Sequence, residues 1–210
     1  MTTSTAASTP TPIPATLGEE ILLLSLDDTT GEARLPLRTP HAIAAAALLE
    51  RSLSGETDDA VLPDDAAKWI YGNSTKEYEK ALRGVLDKGL IRKEQRRVLL
   101  VFRTTRYPEA DATVESALRG RLAEVVLTGA EPDPRTAALI SLLHHGDLHT
   151  LAFPDADSDE SPVKRRMTEI AERHWADPAL RRMAETAAAA AAALTAATMA
   201  TTVVVITTVT

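Results

Sequence analysis

The stretch Thr16 to Leu37, TLGEEILLLSLDDTTGEARLPL, decides the fold. Thr16 followed by Glu19 and Glu20 is a capped acidic helix start. The threonine hydroxyl accepts from the amide three residues on, and the Glu19 carboxylate reaches back to the cap's own amide. The apolar block Ile21-Leu22-Leu23-Leu24 follows at once. A turn at Asp27-Asp28-Thr29-Thr30-Gly31 and the short run Ala33 to Leu37 come next. The pattern predicts a helical hook that folds back on itself before a second helix of small residues, Ala42 to Leu53. No catalytic group lies in it.

Outward from the hook, the composition sets the class. Hydrophobic residues make up 44% and charged residues 25% of 210 positions, which are globular values that allow one sizeable core. Aromatics are only 3%, so that core is built from Leu, Val, Ile and Ala, as suits closely packed helices. The absence of cysteine removes disulfides, thiolate zinc sites and cysteine nucleophiles. The start of the chain lacks a basic region followed by an apolar one, which favours a cytoplasmic setting. The net charge of −7 is uneven: Lys76 to Arg121 holds 12 Lys and Arg against 7 Asp and Glu. Such a segment offers a local anion-binding face, since screening confines its reach to roughly 8–10 Å. A plain solvated helix face is the blander reading.

The remaining segments follow from periodicity. Residues 1–15 are Thr/Ser/Pro-rich and read as a disordered tail, with one domain over 16–210. Trp69-Ile70-Tyr71 is a short apolar piece before Gly72-Asn73-Ser74, and Ser74 to Asp87 is an amphipathic helix closed by Gly89. Two short strands are expected at Leu90-Ile91-Arg92 and Val98 to Phe102. Asp111 to Leu127 repeats apolar residues at helical spacing. Arg135 to His145 is nearly all apolar on one side and is expected to be central and buried. Leu148 to Phe153 leads into an acidic loop, and Val163 to Trp175 and Pro178 to Glu185 are helical. Thr186 to Thr210 has no charge; its length suffices for a bilayer, but its Ala and Thr content favours a buried helix plus tail over an anchor or an unstructured end. The fold class expected is mainly α, one globular domain of amphipathic helices around a buried central helix, with short β-hairpins.

These segments, in this order, resemble the Golgi phosphoprotein 3 family, in a bacterial, actinobacterial version. The residues that carry the likeness are EEILLLSLDDTTGEARL (19–35), AIAAAALLERSLSG (42–55), ALRGVLDKGLIRKEQRRVLLVFRTTRYPEAD (81–111), RLAEVVL (121–127) and DPRTAALISLLHHGDLHTLAF (133–153). The resemblance implies a non-enzymatic peripheral membrane protein without cofactor that binds phosphatidylinositol 4-phosphate, or an adaptor for a membrane-associated protein partner at the inner face of the membrane. It implies a headgroup pocket made by a Trp after the hook, an Arg in the next helix and arginines before the central helix. Here the hook loop reads Glu32-Ala33-Arg34-Leu35-Pro36, the next helix has Ile43 and Ala44, and Arg135 alone stands in the third place. A phosphate monoester needs several convergent donors. Arg135, with Arg34 and Arg38 as substitutes, and the basic run Arg92, Arg96, Arg97 and Arg106 are therefore the expected headgroup residues. The family's membrane-inserting or self-associating hairpin should fall near 151–163, where this chain is acidic from Asp155 to Glu160.

Two other chemistries have to be weighed. Helix followed by hairpin is also the outline of a winged helix, with Arg96, Arg97, Arg103 and Arg106 to meet phosphates. The acidic total counts against nucleic acid as the partner. His144-His145-Gly146-Asp147-Leu148-His149 puts His145 and His149 four apart, a metal-ligand spacing on a helix. Gly146 predicts that the helix ends between them, which favours capping and core hydrogen bonds over a metal. There is no phosphate-cradling Gly loop, nucleophile elbow or HExxH.

Overall fold

The hook forms as its sequence spells it. In the computed structural model, which describes residues 15–53, 66–98 and 102–185 except 157, 159, 179 and 183, α1 spans Leu17–Ser25 and α2 spans Thr39–Leu53. Both halves of the Thr16–Glu19 capping box are made, at 3.2 and 2.7 Å. The loop between the helices closes through a Leu26↔Ala33 bridge and a bond from the Arg34 amide to Ser25 O. Gly31, at φ 63°, presses its Cα against the main chain of Tyr107 and Pro108, where any Cβ would overlap backbone. The Tyr107 amide donates to Gly31 O there. Only glycine fits that strap.

α1 is buried along its whole length, and Ala42 to Ala46 of α2 are buried beneath it. Small side chains on α2 let the two helices lie close. α3 (Ala66–Asp87) crosses both. It is one helix, where the sequence suggested a separate piece at 69–71 and a start at Ser74. Ile70, Ser74, Glu77, Ala81 and Val85 make a continuous buried face through Gly72, and the Asn73 side chain donates to Trp69 O instead of ending the helix. Gly84 on α3 has a related use: a Cβ there would overlap the carboxylate of Glu19 on α1.

The strands also fall elsewhere than expected. β1 (Glu94–Val98) and β2 (Phe102–Arg106) pair antiparallel, with Glu94 opposite Arg106 and Val98 opposite Phe102. Leu90 and Ile91, read as a strand from their hydrophobicity, instead bury themselves as the link from α3, with Ile91 bridging Glu109. α4 (Ala112–Thr128) is capped by Asp111 and ended by Gly129 in the left-handed region. α5 (Pro134–His145) is the central helix: Leu139, Ile140, Leu142 and Leu143 are all but sealed from solvent. Its entry is built by Asp133, which accepts from the Arg135 and Thr136 amides ahead of Pro134. α6 (His149–Ala152) and α7 (Pro162–Arg173) follow, and the described residues within 177–185 are helical, as expected for that stretch. The described residues between α6 and α7 include no strand. The tail at 1–14 and the uncharged stretch 186–210 lie outside the described residues, and no described helix is long and apolar enough to cross a membrane.

Candidate anion-binding site

The arginines singled out from the sequence do not converge. α1 and α5 both run from the capped start of α1 toward the hook, and α2 runs back between them. Arg135 sits at the first end of α5, while Arg34 and Arg38 meet its other end. Twelve residues of helix, roughly 18 Å, separate the two groups.

At the first end every charge has an opposite beside it. The Arg135 guanidinium bonds Glu50 at 2.7 Å, approaches Glu20 at 3.5 Å, and donates to Ala15 O. Glu50 also takes the Leu17 amide at 2.6 Å, so it fills the donor-rich start of α1. Arg121 reaches Glu20 at 3.0 Å, and Lys88 pairs with Glu19. Burial alone would lower the Arg135 pKa, but the Glu50 and Glu20 carboxylates raise it. The guanidinium is held charged and already neutralised. A shallow cleft of about 310 Å³ opens beside this knot, lined by Thr16, Glu19, Ile43, Glu50, Glu77 and Lys80 among others. Its wall carries three carboxylates against the two cations Arg51 and Lys80, which makes it a poor seat for a phosphate.

The hook end is arranged otherwise. Arg34 donates to the main-chain carbonyl of Thr150 at 3.0 Å; among the described residues no carboxylate is in hydrogen-bond reach of it, and Asp27 acts on it only through space. A carbonyl fixes the guanidinium without cancelling its charge. Arg38 pairs with Asp147 and also bonds its carbonyl at 3.1 Å. Between them Leu35 takes a left-handed backbone at φ 48°, unusual for a residue with a branched side chain, and Leu37 stands 85% exposed. Arg106 bonds Glu32 at 2.6 Å, and Arg92 bonds Glu94 at 2.7 Å, both beside the strap formed by Gly31 and Tyr107. Arg96 and Arg97 lie on β1 opposite Thr104 and Arg103. The hook therefore gathers Arg34, Arg38, Arg92, Arg106 and the hairpin on one side of the molecule and leaves Arg135 on another.

The histidines divide at Gly146. His145 bonds Asp177 at 3.0 Å, whereas His149 faces Asp147 at 3.4 Å. The two rings thus turn to different carboxylates. Glu50, Glu20 and Asp177, acids that fix these cations, escaped the sequence reading because each acts on a residue on another element. Only Glu20 carried a signal, as part of an acidic first turn.

Residues 58–187 match the family model of Golgi phosphoprotein 3 (GPP34). No curated protein matches the chain. The matched region runs from α3 through α7 and includes the hairpin, the central helix and Arg135. Since it takes in well over half of a mainly helical chain, the chain belongs to the Golgi phosphoprotein 3 family.

Proposed function

We propose that this protein is a non-enzymatic, peripheral binder of anionic lipid headgroups that meets the membrane with its hook end. Family membership supports the class. The observation that carries the choice of face is Arg34, whose guanidinium is anchored by a carbonyl and keeps its charge, next to Arg38 and the exposed Leu37. An apolar tip rimmed by cations suits the headgroup boundary. Each basic residue close to an anionic surface contributes about 1 kcal/mol, enough for reversible recruitment. On this reading the protein responds to negative surface charge in general rather than to the 4-phosphate, because Arg135 is already occupied by Glu50.

Co-sedimentation with vesicles of phosphatidylcholine containing phosphatidylglycerol, phosphatidylinositol or its 4-phosphate tests this. Binding to all three anionic mixtures, weakened by salt, is expected. Absence of binding to every mixture at low salt overturns the proposal, and strong preference for the 4-phosphate overturns the assignment of Arg135. The hairpin with Arg96, Arg97 and Arg103 on paired strands keeps a second reading in play, a nucleic-acid contact, for which salt-sensitive retention on duplex DNA is the diagnostic result.

A further inference from the structure

We propose that His144 and His145 of the central helix and His174, gathered around Asp177, form an acid-released latch that holds the segment after α7 against α5. The geometry is that of a clasp. Asp177 is buried and accepts from His145 Nε2 at 3.0 Å through one carboxylate oxygen and from Arg181 at 2.9 Å through the other. The rings of His144 and His145 meet edge to face, 4.9 Å between centroids. His174 Nδ1 accepts the Ala176 amide at 3.3 Å, so that nitrogen carries no proton while the clasp is closed. Beneath it Ala176 and Leu180 are seated in the apolar core.

Burial, the larger influence, opposes a charge on all three rings, although Asp177 favours one on His145. A proton on His174 Nδ1 removes its acceptor. Charging the three imidazoles puts new positive charge beside Arg181, with Asp177 and Glu172 of α7 as the opposing carboxylates. His149, beyond the end of α5, adds to the repulsion at His144. Burial lowers the pKa of all three rings below the ordinary value of 6.5. The closed form therefore holds the neutral rings and the opened form binds more protons. Closure is complete above 6.5 and is lost as the pH falls below it. The segment would lift with Leu180, uncovering apolar surface on α5 and α7.

The test uses the full chain carrying Trp69→Phe, so that Trp175, which lies within the clasp, is the sole indole. Between about pH 8 and pH 5, Trp175 emission is expected to change and proteolysis within 174–185 to quicken about tenfold, while far-UV circular dichroism stays level. His145→Gln keeps a donor to Asp177 and cannot charge; it is expected to move the transition to lower pH. A combined His144→Gln, His145→Gln, His174→Gln chain should lose the transition. If that chain does not fold, the single His145→Gln and His174→Gln chains decide the matter. An unchanged Trp175 signal, a transition that neither single variant moves, or loss of the helical signal in the same step overturns the proposal.

Discussion

The two ends of the central helix solve the same problem in opposite ways. Both bring arginines to a helix terminus. At the Arg135 end the chain supplies its own anions: Glu50 occupies the start of α1, Glu20 lies between Arg121 and Arg135, and Glu19 takes Lys88. At the hook end the guanidinium of Arg34 leans on a carbonyl. The first arrangement spends its cations on holding the fold, and the second leaves a cation for something outside. An arginine is read by its partners more than by its place in a motif. That difference separates a structural site from a candidate binding face within one helix length.

The contrast can be broken by substitution. Gly31→Ala strikes the scaffold on which the hook face depends: it meets both a positive φ and the Tyr107–Pro108 backbone, which cannot step aside. A loss of about 3 kcal/mol is expected in urea denaturation, with the hairpin and hook loosened together. Arg135→Ala leaves Glu50 and Glu20 without their shared counter-charge. About 2 kcal/mol is expected, less than for a sealed ion pair because the guanidinium is 32% exposed. Vesicle binding by the folded fraction should stay unchanged, and a large drop would erase the distinction between the two ends. Thr16→Ala removes one half of the capping box and should cost about 1 kcal/mol in thermal unfolding. Paired Arg34→Ala and Arg38→Ala changes should move stability least, by under about 0.5 kcal/mol for an exposed pair. The same variant should lose about 2 kcal/mol of affinity for anionic vesicles. Full retention of that affinity would sink the hook as the binding face.

The sequence discloses the features that are local. The capping box and the left-handed Gly89 that closes α3 each depend on residues within a few positions, and their spacing is visible in one dimension. The buried central helix is equally plain from its run of Ala, Leu and Ile. The hairpin is harder. Glu94 to Arg97 and Arg103 to Arg106 are polar on both faces, so no alternation marks them, and the backbone ladder alone fixes their register. Gly72 suggests a break that α3 does not have, because a glycine signals one only when no packed face runs through it. The state of Arg135 was hidden for another reason: its chief partner, Glu50, lies 85 residues away on a different helix. Charge pairing across elements has no period to read.

The vacancy at Gly84 has a consequence for how this family varies. The Glu19 side chain lies over that position and is held by the Thr16 amide and Lys88, so a methyl group there would push its carboxylate off those partners. Positions 19 and 84 are thus a single choice made on two helices. Relatives that carry a side chain at the second position should have surrendered the glutamate at the first, and with it the capping box that begins the fold. A substitution history written at 84 would then be legible at 16 and 19, as correlated drift between residues that never appear together in a motif.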